Sequence, residues 1–105
     1  MIPDRFWEDV ITIALYHFNS TAATEIDRYC LRILVVLKSG RRSVNSIHKE
    51  INLDRRPILD RLNRMKELGL IEGSLALGRT GGHFSYSDQF ANIFQGTLDK
   101  VLAEQ

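Results

Sequence analysis

The sequence contains a single cysteine, Cys30, so an internal disulfide is excluded. It also lacks a long hydrophobic run, because uninterrupted apolar stretches such as ILVVL are far shorter than the ~20 residues that span a bilayer. The amino-terminal stretch MIPDRFWEDV is charged where a secretory signal needs a basic segment and an apolar run. We therefore expect no membrane insertion and a cytoplasmic location.

Extremes of composition are absent as well. Hydrophobic residues make up 44% and charged residues 26% of the 105 residues, which is typical of a globular chain and gives no sign of disorder. A chain of this length usually forms one domain and buries about 60 to 70% of the surface that its unfolded form exposes. We therefore expect residues 1–105 to form a single domain with one core.

The net charge of +1 is small, but its distribution along the chain is uneven. Positions 38 to 66 hold nine basic and three acidic residues, a net +6, which leaves −5 for the rest of the chain. A charged run is by default a solvated face, so the pattern of elements within it decides whether it binds a polyanion.

Two apolar helices are predicted at the ends of the chain. Residues 4–18 hold apolar side chains around most of a helical wheel, so this helix must be covered on more than one side. A last helix, over residues 88–105 and capped by Ser87 or Asp88, has a one-sided apolar stripe.

The region between them begins with a clear amphipathic helix. Its apolar side chains recur at helical spacing; they are Ile26, Tyr29, Cys30, Ile33, Leu34 and Leu37. Thr24 followed by Asp27 resembles an amino-terminal capping box, which would start the helix near residue 24. Gly40 ends it.

Two further helices follow in close succession. Ser43 can cap a short helix that buries Val44, Ile47 and Ile51. Asn52 suits a left-handed residue in a tight turn, and Asp54 can cap the next helix. Pro57 would then be the third residue of that helix, where a proline forfeits no internal hydrogen bond.

The second of these helices leads into a predicted hairpin. Ile58, Leu62, Met65 and Leu68 face inward at spacings of 4, 3 and 3, and Gly69 ends the helix. The stretches LIEGSLAL and HFSYS are predicted as two strands around the turn GRTGG.

This order of elements resembles a known family. The segment SVNSIHKEINLDRRPILDRLNRMKELGLIEG is similar to the helix-turn-helix of winged-helix transcription regulators of the MarR and PadR type. The matching features are a small capping residue before the second helix, the turn residue Leu53, the pair Leu62 and Met65, and the exit ELGLIEG. The resemblance covers residues 24–88 and implies an α+β, mostly helical, winged helix-turn-helix with additional helices at both ends.

The predicted recognition helix departs from the family pattern at Pro57, Leu59 and Asp60. With Ile58 pointing inward and ~100° per residue, Arg56, Asp60 and Asn63 point outward and Arg64 lies beside them. Arginine can bond guanine, asparagine adenine and aspartate cytosine in the major groove. The candidates for base reading are Arg55, Arg56, Asp60, Asn63 and Arg64, although Asp60 can instead form an intrahelical ion pair with Arg56.

Other polar residues are candidates for holding the DNA backbone, which positions a protein without reading sequence. They are Lys38, Arg41, Arg42, Ser43, Lys49 and Arg61. The resemblance further implies that Arg79 and Thr80, at the tip of the wing, reach the minor groove, although a solvated loop is the alternative for Arg79.

The terminal helices are candidates for a symmetric dimer interface, because twofold dimers read two half-sites. The interface candidates are Phe6, Trp7, Val10, Ile11, Phe90, Ile93, Phe94, Leu98, Val101 and Leu102. The alternative is that the two helices cover each other within one chain.

Other chemistry is poorly supported by the sequence. Three scattered histidines and one cysteine do not have the spacing of zinc ligands, and no nucleophile and base can be brought together, so we expect no metal, no cofactor and no enzymatic activity. Some relatives use a cysteine as a redox sensor, but Cys30 lies on the core stripe of its helix and is expected to be buried and inert.

The predicted function is sequence-specific binding of double-stranded DNA as a homodimer, associated with the nucleoid, as a transcriptional regulator and most simply a repressor. Two alternatives remain open. One is a winged helix used as a protein-interaction or assembly module, and the other is an architectural or replication-associated DNA-binding protein of a plasmid or virus. The sequence identifies no small-molecule effector.

Overall fold

The computed structural model describes residues 2–74 and 82–104. Their helices and strands follow one another as α1 Asp4–Phe18, α2 Ser20–Thr24, α3 Arg28–Leu37, β1 Arg42–Ser43, α4 Val44–Ile51, α5 Arg55–Glu67, β2 Ile71–Ser74, β3 His83–Tyr86 and α6 Asp88–Ala103. The predicted class, α+β and mostly helical with a helix at each end, is confirmed.

The start of α3 differs from the prediction. Thr24 does not cap it; it ends α2, a five-residue helix that the sequence analysis missed and whose own cap is Asn19. Asp27 is the cap of α3, and its carboxylate accepts a hydrogen bond of 2.8 Å from the Cys30 amide. The two capping signals lie three residues apart, and the charged acceptor, which forms the stronger hydrogen bond, is the one at the start of α3.

The helix-turn-helix is built as predicted, with one exception. Ser43 caps α4, Asn52 is left-handed with φ 54°, and Pro57 is the third residue of α5. Asp54 stands at the cap position of α5, but its side chain makes no capping hydrogen bond. Because Pro57 has no amide hydrogen, one of the usual targets of a capping carboxylate is missing.

The three strands form one antiparallel sheet in the order β1-β3-β2. Arg42 of β1 is opposite Phe84 of β3, and Ile71 of β2 is opposite Tyr86. The amide of Val44 also donates to the carbonyl of Gly82, so the first residue of α4 is bonded directly to the chain that enters β3. The described base of the predicted hairpin is therefore attached to the helix-turn-helix.

One core joins all these elements. The stripe of α5 packs on α3 and α4, and α1 lies along α6. Aromatic rings fill the space between α6 and the sheet, where Tyr86 makes edge contacts with Phe90 and Phe94. The Tyr86 hydroxyl donates to the carbonyl of Leu34, and burial raises the pKa of Tyr86. Among the described residues, no helix is long and apolar enough to cross a membrane.

Two glycines provide a matched test of this packing. A Cβ on Gly73, whose φ is +150°, would lie 2.2 Å from the carbonyl oxygen of His83, whereas a Cβ on Gly96 of α6 would meet nothing within 4 Å. We expect Gly73→Ala to lower the free energy of unfolding by about 2 kcal/mol and Gly96→Ala to raise it by about 0.5 to 1 kcal/mol. Urea denaturation measures both, and an unchanged midpoint for Gly73→Ala would contradict the close approach of β2 to β3.

Candidate nucleic-acid interface

The rotation of α5 is fixed by its buried stripe. Ile58, Leu62 and Met65 are fully buried. The residues predicted to point outward, Arg56, Asp60 and Asn63, are exposed, as expected, and so are Arg64 beside them and Glu67. The structure therefore brings together, on one exposed helix face, four of the five candidates for base reading.

The fifth candidate, Arg55, lies on the flank of α5 that faces α4. Its Nε donates to the Oδ1 of Asn45 at 3.1 Å, and its Nη2 donates to the same oxygen. Arg55 is exposed and Asn45 half-buried. The sequence analysis missed Asn45, because the pairing joins two helices and follows from no local pattern.

Arg61, a candidate for holding the DNA backbone, is instead engaged within the chain, and this candidate is corrected. Its guanidinium makes an ion pair of 2.8 Å with Asp27 and lies 5.1 Å from the centre of the Tyr29 ring. Arg61 is about 300° around the helix from Ile58, on the flank that faces α3. Its charge is therefore used to attach α5 to the start of α3.

This ion pair changes the titration of both partners. Partial burial of Asp27 acts to raise its pKa, but hydrogen bonds from Arg61 and from the Cys30 amide outweigh it and lower the pKa of Asp27 to about 2. The hydrogen bond to Asp27 in turn raises the pKa of Arg61. One carboxylate thus both caps α3 and holds α5.

The candidates before α4 have local partners too. The Arg42 guanidinium donates to Ser46 at 2.9 Å and pairs with Glu50 at 3.0 Å. The Ser43 hydroxyl accepts from the Ser46 amide as the cap of α4. For Arg42 and Ser43, the expected role as dedicated backbone contacts is therefore revised to a structural one.

Lys38 also has a contact within the chain, since its Nζ lies 5.0 Å from the centre of the Trp7 ring. Arg41 and Lys49, by contrast, are exposed. They remain the predicted backbone contacts.

The carboxyl-terminal half of the outward face is less basic than the amino-terminal end. A shallow groove there is lined by Glu25, Asp60, Asn63, Arg64, Glu67 and Leu68. Acidic side chains outnumber basic ones in this groove, whereas Arg55 and Arg56 stand together at the start of the helix. The side of the helix that suits a polyanion is therefore its amino-terminal end.

The wing is only partly described. Arg79 and Thr80 lie outside the described residues, so their predicted contact with the minor groove stays a prediction. The described strands β2 and β3 pair with each other, and β3 also pairs with β1, which directly precedes α4.

Cys30 and His48 are two further side chains with defined environments. Cys30 is buried, as predicted, and burial raises the pKa of its thiol to about 11. Its thiol therefore resists forming the reactive thiolate at neutral pH. His48, which the sequence analysis did not single out, donates from Nδ1 to the carbonyl of Leu53 at 2.6 Å and so supports the tight turn between α4 and α5.

The terminal helices cover each other within the chain, so part of the predicted dimer interface is corrected. Val10, Ile11, Phe90 and Phe94 are buried in the core of a single chain and are not available to a partner. The remaining interface candidates, which are Phe6, Trp7, Ile93, Leu98, Val101 and Leu102, are partly buried or exposed. The apolar surface left open along α1 also includes Ile13 and Tyr16, which are 42% and 57% exposed.

Solved structures of regulators share this fold. The disulfide-formed AbfR is 14% identical, with a TM-score of 0.64 over 94% of this chain and 65% of its own. ZitR of Lactococcus lactis is 16% identical, with a TM-score of 0.57 over 75% of this chain and 57% of its own. A MarR family regulator from Neisseria meningitidis is 17% identical, with a TM-score of 0.56 over 88% of this chain and 71% of its own.

The resemblance to winged helices of the MarR type is thereby confirmed for the fold. No family model and no curated protein matches the sequence. The chain spans less than two thirds of the length of the disulfide-formed AbfR and of ZitR. At this level of identity, the function has to be argued from the surface of the chain itself.

The ion pair of Asp27 makes stability depend on pH. The pKa of its carboxyl falls from 3.8 to about 2, so the stabilisation is present above pH ~4 and is lost as the pH falls through about 2. Asp27 is half exposed, and solvent screening reduces the effect to about 1 kcal/mol. We expect Asp27→Asn, which keeps a capping oxygen, to lose about this free energy of unfolding at pH 7 and almost none near pH 2.

Urea denaturation at the two pH values measures this difference. Asp54→Asn is the matched control, because Asp54 occupies the cap position of α5 without a capping hydrogen bond. An equal loss of unfolding free energy in both variants at pH 7 would show that the loss comes from the change in net charge and not from the contacts of Asp27.

Proposed function

We propose that the chain is a sequence-specific double-stranded DNA-binding protein that acts as a homodimer in transcriptional regulation, as a repressor. The observation that carries this proposal is the exposed, basic amino-terminal end of α5, where Arg56 points away from a fully buried stripe and Arg55 lies on the flank towards α4. Helices held in this way enter the major groove. AbfR, which shares the fold, has been solved bound to DNA.

The charge that remains for DNA is smaller than the sequence suggested. Arg42 and Arg61 are paired with acids, and Lys38 lies against Trp7. The exposed basic residues between positions 38 and 66 are Arg41, Lys49, Arg55, Arg56, Arg64 and Lys66. This number suits a module that contacts several phosphates and reads a few nucleobases, and we propose that the protein is associated with the nucleoid.

A second function is favoured by one specific observation. The acidic groove formed by Glu25, Asp60 and Glu67 interrupts the basic face, and Glu50 neutralises Arg42. A face of mixed charge suits a protein partner better than a uniform polyanion. The alternative is therefore a winged helix that serves as a protein-interaction or assembly module.

The dimer is proposed from the surface that the core leaves open. A groove between α1 and α6 is lined by Ile13, His17, Ile93, Gly96, Thr97, Lys100, Val101 and Glu104. Tyr16 and Leu102 add exposed apolar surface on the same two helices. A second copy related by a twofold axis would cover this surface and place two recognition helices for two half-sites.

The DNA-binding function is tested by selecting duplexes from a random pool at physiological salt and titrating the chain with them. An enriched palindrome is expected. Binding without a preferred sequence would favour an architectural role, and no retained DNA would favour the protein-interaction module. For about five phosphate contacts, the slope of log K against log salt is expected near −4.5, and a slope near zero would contradict the proposal.

Arg56→Ala tests most directly whether α5 reads bases. Because Arg56 points outward at the start of α5, we expect the variant to lose ~1 to 3 kcal/mol on the selected duplex and much less on a scrambled one. Lys49→Ala is the control, since a backbone contact should weaken both duplexes alike. Equal losses for Arg56→Ala on the two duplexes would make α5 a non-specific phosphate clamp.

The dimer prediction is tested by analytical ultracentrifugation. The unmodified chain should sediment at twice its mass of 12.0 kDa at tens of micromolar. Ile13→Asp should yield a monomer, because it places a charge in the groove between α1 and α6. Ile2→Asp is the control, as Ile2 is similarly exposed but precedes α1. A monomeric unmodified chain would contradict the proposed assembly.

A further inference from the structure

The first turn of α4 holds an arginine of the next helix. Asn45 is the second residue of α4, and its Oδ1 accepts from both Nε and Nη2 of Arg55, the first residue of α5. Asn45 is not needed to begin its own helix, because Ser43 provides the cap. The side chain therefore spans the gap between the amino-terminal ends of two helices.

Arg55 needs such a partner if its guanidinium is to face DNA. It precedes Ile58 by three residues, which places it about 60° from the buried direction and far from the outward face of Arg56. A guanidinium has five N–H groups, of which two are engaged by Asn45, so three remain, on Nη1 and Nη2. These adjacent nitrogens form the fork that bonds two acceptors at once.

We propose that Asn45 is a specificity-determining positioning residue, which holds Arg55 so that its remaining fork meets the O6 and N7 acceptors of a guanine. This inference rests on the proposed DNA binding. A long arginine side chain loses rotamer freedom when it binds, and the bond to Asn45 removes much of that freedom before DNA arrives. Asn45 thus acts through Arg55 and reads no base itself.

The test is a double-mutant cycle on the full chain. Asn45→Ala, Arg55→Ala and the double variant are titrated with the duplex selected by the unmodified chain and with a scrambled duplex. We expect Asn45→Ala to reduce the affinity ratio of the two duplexes about three- to tenfold. In the Arg55→Ala background, the same substitution should have no further effect on the ratio.

Two variants separate this role from a structural one. Alanine is a better helix former than asparagine, so Asn45→Ala should leave the thermal midpoint unchanged or slightly higher. Asn45→Asp keeps the accepting oxygen, and its negative charge should weaken both duplexes alike while preserving their ratio. Replacing the contacted guanine by 7-deazaguanine should remove the difference between the unmodified chain and Asn45→Ala.

The outcomes distinguish this inference from the function on which it rests. If the unmodified chain prefers its selected duplex and Asn45→Ala retains the full ratio, the role of Asn45 is overturned and DNA binding stands. Equal losses on both duplexes would also overturn it, because Arg55 would then grip a phosphate. If the unmodified chain retains no duplex at all, the proposed function fails and this inference fails with it.

Discussion

The burial of three side chains, Ile58, Leu62 and Met65, determines what the surface of this molecule presents. Turning α5 about its axis would expose them, at a cost of roughly 25 cal/mol for each Å² of apolar surface. With the rotation fixed, Arg56 faces solvent, Arg55 lies towards α4, and Arg61 lies towards α3. Three of the four arginines of this helix thus have different environments although all are identical in charge.

These environments explain why a basic segment is not a uniform basic surface. Arg42 is paired with Glu50, 8 residues away in sequence, and Arg61 with Asp27, 34 residues away. Lys38 lies over the ring of Trp7. Pairing of this kind lowers the field that a polyanion meets. Arg55 and Arg56 lie together at the start of α5, and the acidic groove near Glu25 lies towards its end, where Arg64 and Lys66 are also exposed. The charge of the exposed face of α5 therefore differs between its two ends.

Periodicity and capping predicted most of the fold, because both are local. The stripes of α3 and α5, the cap Ser43, the left-handed Asn52 and the tolerated Pro57 each follow from a few neighbouring residues. Local patterns do not show which distant groups meet. Asp27 and Arg61 are 34 residues apart, and the sequence analysis therefore took Arg61 for a backbone contact. An apolar α1 likewise predicts that a cover is needed, and only the three-dimensional packing shows that α2, α3 and α6 of the same chain provide it.

The hydrogen bond from the Val44 amide to the Gly82 carbonyl connects the start of α4 directly to the residue that precedes β3. Together with the two residues of β1 paired to β3, it fastens the base of the hairpin to the first turn of α4, whose next residues hold Arg55 and Arg42. A displacement of β3 is therefore transmitted to both arginines through a path of only a few covalent and hydrogen bonds. These bonds join the base of the hairpin, α4 and the start of α5 into one hydrogen-bonded network, which gives β3 a short path to both arginines.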